Sequence, residues 1–150
     1  MTLQKILSNG IQENLFEIEK YLSKKNFTNI TGDACVGDIV WFGRDLFSGS
    51  YRKPIFDGTE GVRAIIVKDS YGSDKQQHTF TLVLMKSATS KTHIKGSDFR
   101  IKGRNLYKHF TYCENHERDD RKEVLEDKHQ RGTFARKVRE DRRETQLTGY

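Results

Sequence analysis

The sequence predicts an α+β fold in which an antiparallel β-sheet lies between an N-terminal helix and a charged, helical C-terminal extension. Three observations support this fold class: a β-hairpin pattern at Val62–Met85, apolar residues at helical spacing before residue 25, and a helix-forming stretch with few apolar residues after Cys113. We therefore expect three units, namely an N-terminal helix at 1–30, a sheet domain at 31–113 and a charged helical extension at 114–150.

The segment Val62–Met85 is predicted to form the central hairpin of the sheet. Its outer parts are rich in β-branched and aromatic residues, and its middle is polar with one glycine, Gly72. In the second strand large apolar residues alternate with smaller ones, which predicts one apolar face, around which the core forms, and one mixed face. The apolar set is Phe80, Leu82 and Leu84, and the residues between them are Thr79, Thr81 and Val83.

Helices are predicted at both ends of the chain. Apolar residues recur every three or four positions from Leu3 to Leu22, which indicates a helix near Gly10–Lys24 that packs on the sheet or, as an alternative, mediates dimerisation. The stretch from Glu114 to about Gln146 has few apolar residues, and Gly132 is predicted to interrupt it. It is either an interrupted helix lying on the domain or a tail that orders on binding a partner.

Two further strands are predicted at Val36–Phe42 and Asp98–Lys102, the second because charged and apolar residues alternate. Between the first of these strands and the central hairpin, Gly43–Gly61 is predicted to be irregular, since it holds several glycines and the only proline. Gly103–Asn105 is predicted to be a turn.

The composition limits the classes of protein to which the chain can belong. The hydrophobic fraction is 34%, the charged fraction 32% and the mean hydropathy −0.81, so part of the chain is expected to lie outside a core. No run of 18 apolar residues and no signal peptide is present, which predicts a cytoplasmic protein without membrane contact. The two cysteines, Cys35 and Cys113, form no C-x-x-C pair, which argues against a zinc site and favours free thiols over a disulfide.

The positive charge is concentrated in one stretch. The net charge is +6, and between Lys86 and Lys108 seven cationic residues face a single acid, Asp98. Such a concentration favours nucleic-acid phosphates or an acidic protein surface as the partner, with a solvated charged face as the alternative.

Nucleic-acid contacts are predicted in three places. The main stretch interleaves its cations with Phe99 and Tyr107, the segment Gly43–Gly61 adds cations among aromatic residues, and the extension adds a second basic arm. The predicted contact residues are Lys86, Lys91, Lys95, Arg100, Lys102, Arg104 and Lys108; Arg44, Arg52 and Lys53; and Arg136, Lys137, Arg139 and Arg142.

Motifs that would indicate an enzyme are absent from the sequence. The histidines have no zinc-site spacing, and no P-loop, dinucleotide fingerprint or nucleophile elbow is present. We therefore expect no catalytic residue, no metal and no cofactor. The alternative is a metal-free ribonuclease in which His78 works with His93 and Lys91, although surface imidazoles are the favoured interpretation.

The order of segments also resembles a known fold family. Gly37-Asp38-Ile39-Val40-Trp41-Phe42, a long connection, and a strand opening with Gly61-Val62-Arg63-Ala64-Ile65-Ile66-Val67 resemble small SH3-like barrels of the KOW type found in ribosomal and transcription-elongation proteins. The resemblance covers about Val36–Leu106 and implies an SH3-like antiparallel β-barrel in the sheet domain.

In size, basic balance and Lys/Asn-rich style, the chain is also similar to early proteins of T-even-like phages of the DNA-binding MotB type. That similarity implies sequence-independent binding of duplex DNA in preference to RNA, modulation of transcription or host functions, and a bacterial or phage-infected host cell.

The sequence thus predicts a non-enzymatic nucleic-acid-binding protein. The alternative is a protein-interaction module that docks on a host machine such as RNA polymerase or the ribosome, or on a second copy of the chain. One continuous basic face formed by the cations of 86–108 and 131–143 would favour nucleic acid, whereas opposed patches and an apolar groove would favour a protein partner.

Overall fold

The structure is a computed structural model that describes residues 15–72, 78–87 and 95–147. It confirms the α+β class: a six-stranded antiparallel sheet has a helix at each end. The helices are α1 (Leu15–Lys24), a one-turn α2 (Gly103–Leu106) and α3 (Arg121–Leu147). The strands are β1 (Thr28–Asn29), β2 (Ile39–Gly49), β3 (Pro54–Tyr71), β4 (His78–Ser87), β5 (Asp98–Lys102) and β6 (Thr111–Cys113).

The strands follow the order β1-β6-β2-β3-β4-β5, and each described pair is antiparallel. The predicted central hairpin is confirmed as β3 and β4. After β5 and α2 the chain returns to β2, where Trp41 lies opposite Tyr112. Within the described residues no pairing joins β5 to β1, so the sheet is not closed and a barrel is not confirmed.

The core lies on the inner face of the sheet, which is the face that carries Phe80. The predicted alternation in β4 is confirmed, since Phe80, Leu82 and Leu84 are 0, 0 and 2% exposed. Each such fully buried side chain contributes about 1.5–3 kcal/mol. These residues pack with others from neighbouring strands and from α2, among them Phe42, Val62, Ile66, Phe99 and Leu106.

On the opposite, outer face, α1 packs over β2 and β6 and also contacts β3. Ile18 and Leu22 on α1 pack against Trp41, Phe110 and Tyr112. The predicted N-terminal helix is confirmed for Leu15–Lys24, and the rest of its apolar stripe, from Leu3, lies outside the described residues. Farther along the sheet, at Lys68, Ser70 and Arg100, the outer face is exposed.

The prediction of an irregular Gly43–Gly61 segment was wrong, because β2 and β3 pair across it as far as Gly49 opposite Pro54. Pro54 is tolerated as the first residue of its strand, where it donates no ladder hydrogen bond. Gly49 has φ +83°, and a Cβ there would lie 2.7 Å from the carbonyl oxygen of Lys53. The glycines therefore shape a tight hairpin end and do not break the strands.

The prediction that Gly132 interrupts the C-terminal helix was also wrong. Helix α3 runs through it for 27 residues. A Cβ at this position would lie 2.8 Å from the ring of Tyr71, so the missing side chain lets α3 approach β3 closely. The predicted turn at Gly103–Asn105 is likewise helical, as part of α2.

Helix α3 is attached to the sheet by a buried cluster centred on Asp38. The carboxylate is fully buried and accepts hydrogen bonds from Arg118, from Nε of Arg121 at 3.0 Å and from the backbone N–H of Cys35 at 3.0 Å. Arg121 also donates to the carbonyl oxygen of Asp33 at 2.9 Å. Two guanidinium groups thus neutralise one buried acid and satisfy neighbouring backbone carbonyls.

Farther along α3, the Nζ atom of Lys128 donates to the carbonyl oxygen of Ala34 at 2.7 Å and lies 5.6 Å from the ring centre of Phe80. Arg131 reaches Asp69 on β3 at 2.9 Å. Lys128 and Arg131 therefore hold this half of the helix on the sheet. Among the described helices, none is long and apolar enough to cross a membrane.

We expect the substitution Asp38→Asn to lower the free energy of unfolding by about 3 kcal/mol or more, because it leaves two partly or fully buried guanidinium groups without their counter-charge. Urea unfolding followed by circular dichroism measures this loss. The exposed Asp119, changed to Asn, is the matched control. Equal unfolding free energies for the two variants would show that the cluster does not stabilise the fold.

Candidate nucleic-acid interface

The open part of the outer sheet face carries two rows of cationic and hydroxyl side chains. Residues paired across antiparallel strands point to the same face and lie about 4.5–5.5 Å apart. Each row crosses β3, β4 and β5 and ends in a cation on β5, and every member is exposed or half-exposed. The rows are Lys68–Thr81–Arg100 and Ser70–Thr79–Lys102, and we call these six residues the cationic face.

A β-bulge brings Lys68 to this face. The register of β3 with β4 shifts between Ile66 and Lys68, so Val67 is the extra residue. Without that insertion, strand alternation would turn Lys68 toward the core and Asp69 outward. With it, Lys68 is exposed, whereas the carboxyl of Asp69 is only 3% exposed.

Asp69 lies between Lys68 and Ser70 in the sequence, but its carboxylate is neutralised on the other side of the sheet. Asp69 accepts a hydrogen bond from His78 at 3.0 Å and from Arg131 at 2.9 Å. Burial opposes ionisation of this carboxyl, but these two partners lower its pKa below the ordinary value.

The exposed Asp98 lies opposite Val83 in the next row of the same face. Among the described ion pairs none involves Lys68, Arg100 or Lys102, so their three charges exceed that of this acid.

The remaining predicted contacts of the main stretch are distributed around this face. Lys86 is half-buried near the end of β4, opposite Arg63, and Lys95 is exposed in the turn before β5. Arg104 is exposed on α2. Lys91 lies outside the described residues.

Two predicted contact residues line a cleft and are engaged in ion pairs. Arg44 forms an ion pair with the fully buried Glu60, and Lys108 forms one with Asp45. The cleft has a volume of about 330 Å³. It is lined by Gly43, Arg44, Asp45, Phe47, Ile101, Asn105 and Lys108.

Asp45 connects the β2–β3 hairpin to the segment after α2. Its carboxylate accepts hydrogen bonds from Lys108, from Nε2 of His109 at 2.6 Å and from the hydroxyl of Thr59 at 2.8 Å. Burial opposes ionisation, but these hydrogen bonds, that of Lys108 foremost, lower the pKa of the carboxyl to about 2. The cluster fixes the base of the hairpin beside the cleft.

The cations of the extension do not join the cationic face through the described contacts. The first half of α3 lies against Asp69, Tyr71 and Phe80, on the inner side of the sheet. Farther along α3, three of the predicted residues are exposed and one is buried. The exposed ones are Arg136, Lys137 and Arg142, and the buried one is Arg139.

The favoured interpretation of His78 as a surface imidazole was wrong. Its side chain is 14% exposed and stacks on Tyr71, with ring centres 4.3 Å apart. Its proposed ribonuclease partner, His93, lies outside the described residues. Cys35 and Cys113 are buried and free, and the described part of the chain holds no group of three or more His, Cys, Asp or Glu side chains suited to a metal.

The sequence interpretation missed Lys68, Ser70, Thr79 and Thr81 as partners of Arg100 and Lys102. The alternation in β4 does indicate that the two threonines share a face. No local signal shows that Lys68 joins them, because its orientation depends on the bulge at Val67.

The comparisons with known proteins identify a family without an assigned activity. A family model described as "Domain of unknown function (DUF7699)" matches residues 35–115, from just before β2 to just after β6. The chain is 38% identical over 129 residues to the zinc finger CCCH domain-containing protein 62 of Oryza sativa subsp. japonica. The alignment covers 82% of this chain but only 18% of the rice protein. No solved structure matches.

We expect Asp45→Asn to remove a pH-dependent part of the stability. A carboxyl whose pKa is lowered by folding stabilises the fold above its unfolded pKa, near 3.9, and this contribution is lost as the pH falls toward about 2. The wild type should exceed the variant by on the order of 1 kcal/mol at neutral pH, after allowance for solvent screening.

Urea unfolding between neutral pH and about pH 2 measures this difference, which should shrink over the acidic end of the range. Asp57→Asn, at an exposed position of the same hairpin, is the control. A difference between wild type and Asp45→Asn that stays constant with pH would contradict the role given to the carboxylate.

Proposed function

Since this chain belongs to the DUF7699 family, whose description assigns no activity, we propose its function from the geometry of the described residues. It is a non-enzymatic protein that binds the sugar-phosphate backbone of nucleic acid through the cationic face. The observation that carries this proposal is the pair of rows in which Lys68, Arg100 and Lys102 alternate with hydroxyl groups on an open sheet surface.

The chemistry of the rows suits phosphate groups. Lysine and arginine neutralise phosphates and release condensed counterions, and hydroxyl groups add hydrogen bonds to phosphate oxygens. Such contacts position a protein on the backbone without reading bases, so binding is expected to depend weakly on sequence.

The face also favours a duplex over a single strand. Proteins that bind single strands stack bases on exposed aromatic rings. The two rows contain no aromatic residue. This supports duplex DNA, which the resemblance to MotB-type proteins also implies.

Strand order supports the finer fold prediction of an SH3-like barrel. Strands β2 to β5 form a meander, and β6 returns after the one-turn α2 to pair with β2. This return brings the last strand of the domain beside the first strand of the meander, as closure of a small barrel requires. The KOW-type and phage-protein resemblances stay predictions.

The name of the rice relative does not suggest a zinc-based mechanism for this chain. A CCCH site needs three cysteine ligands, whereas the chain has two cysteines. Both are buried, and burial raises the pKa of the Cys113 thiol to about 11, which disfavours the thiolate that a metal requires.

A second candidate function is a protein-interaction module that docks on a host machine such as RNA polymerase or the ribosome. Opposed basic patches favour a protein partner over nucleic acid. The described contacts of α3 lie on the side of the sheet opposite the cationic face, so the cations of this helix and those of the face do not form one patch through these contacts. The cleft beside Asp45, which combines Phe47 and Ile101 with charged groups, gives such a partner a place to bind.

We expect the double substitution Arg100→Ala and Lys102→Ala to weaken duplex binding about tenfold and to lower the slope of log K against log salt by about 1.8, or roughly 0.9 per lost phosphate contact. Fluorescence anisotropy with a labelled duplex at several salt concentrations measures both quantities. The fold should be unaffected, because both side chains lie on the outer face.

The matched control is Arg136→Ala with Lys137→Ala, which removes the same charge from exposed positions on α3. Equal losses of affinity and slope in the two double variants would contradict the cationic face as the binding site. Absence of duplex binding by the wild type at low salt would overturn the proposed function and leave the protein-docking candidate.

A further inference from the structure

The end of the β2–β3 hairpin is an exposed apolar tip, and Phe47 at its base also lines the cleft beside Asp45. Beyond Leu46 the side chains of Phe47, Tyr51, Ile55 and Phe56 are 58, 102, 59 and 48% exposed. Phe47 and Phe56 are paired across the strands, with ring centres 5.8 Å apart. We call the segment from Phe47 to Phe56 the hairpin tip.

The apolar residues of the tip point to both of its faces. Phe47 is opposite Phe56, whereas the next pair, Ser48 with Ile55, points the other way because side chains alternate along a strand. A patch on one face would suit docking against a flat surface. Apolar groups on both faces suit an element that is inserted into a partner and enclosed by it.

Hydrogen bonds give the tip a defined conformation. In its turn the backbone N–H of Lys53 donates to the carbonyl oxygen of Ser50 at 3.2 Å and lies 3.1 Å from its hydroxyl oxygen, which places Tyr51 and Arg52 at the two central positions. Below the turn the hydroxyl of Ser48 donates a hydrogen bond to the carboxylate of Asp57 at 3.1 Å. At the base of the hairpin the Asp45 cluster fixes the strands. A preorganised element of this kind loses little conformational freedom on insertion.

The charge of the tip selects the kind of partner. Arg52 and Lys53 are exposed beside Tyr51, and the tip itself contains no acidic residue. An enclosing partner should therefore be negatively charged outside and apolar inside. The minor groove of duplex DNA has these properties, since phosphates flank it and an apolar side chain that enters between base pairs is enclosed by them.

The wide major groove fits less well. A two-stranded ribbon can lie in it, but one face of that ribbon then points to solvent. In the narrow minor groove, an apolar wedge is covered on both sides by the separated base pairs.

We propose that the hairpin tip inserts into the minor groove of duplex DNA, with Tyr51 as the wedge that separates a base step and with Arg52 and Lys53 on the flanking phosphates. This inference rests on the proposed duplex binding and adds to it a second contact that deforms the DNA. The two surfaces belong to one strand, because β3 runs from the tip at Pro54 to Lys68 and Ser70 on the cationic face. Pyrimidine–purine steps, which unstack easily, should be the preferred insertion points.

The test uses the full chain and a short duplex in which 2-aminopurine replaces the adenine of a single central TpA step. Insertion unstacks this base, so saturating wild-type protein should raise its fluorescence about twofold or more. Tyr51→Ala should abolish most of the increase, while the salt slope of binding, set by cations that remain, should be unchanged. Phe134→Ala, which removes an aromatic ring that is 69% exposed on α3, is the matched control and should behave as the wild type.

Duplex binding without a fluorescence increase, or an increase that Tyr51→Ala retains, would overturn the insertion and leave the proposed function standing. Absence of duplex binding by the wild type would overturn both. Vesicles containing anionic lipid are sedimented with the same proteins in parallel. Vesicle binding that is lost in Tyr51→Ala, together with no change in duplex fluorescence, would assign the tip to a lipid surface and overturn the proposal.

Discussion

The buried carboxylate of Asp38 is the interaction on which the arrangement of the sheet and the C-terminal helix depends. A buried charge is stable only when its partners are complete, and its partners Arg118 and Arg121 both come from the chain after β6. The segment before β2 is thereby joined to the start of α3, and β6 between them is brought beside β2. The first half of α3 is therefore part of the packed domain, in which Lys128 and Arg131 continue the attachment.

The basic residues have two different uses in this protein. Several neutralise buried or partly buried acids, as Arg44 does with Glu60 and Arg131 with Asp69. Others, such as Arg100 and Lys102, lie on an open surface where the described acids do not pair with them. The net charge of +6 therefore does not show by itself which cations are available to a partner, because some of them are used in ion pairs within the fold.

Irregularities in β3 underlie the two roles proposed for this strand. The first bulge is at Asp57, opposite Leu46 and Phe47 of β2, where the hairpin leaves the core. The second, at Val67, turns Lys68 toward the cationic face. A regular strand of the same 18 residues would present one uninterrupted alternation from end to end. The proposed phosphate contacts and the proposed groove contact are consequently connected through the hydrogen-bonded backbone of one element.

The sequence by itself determined the features that depend on local patterns. Alternation in β4 identified Phe80, Leu82 and Leu84 as core residues, and helical spacing identified α1. Counting charges along the chain located the cationic stretch Lys86–Lys108, which includes Arg100 and Lys102. Only the tertiary structure decided that Gly132 serves close packing on Tyr71, that Lys68 joins Arg100 across two strand pairings, and that Asp38 meets Arg121 across 83 positions of the chain. The physical reason is that these contacts depend on strand register and on the approach of distant segments, which neighbouring residues do not encode.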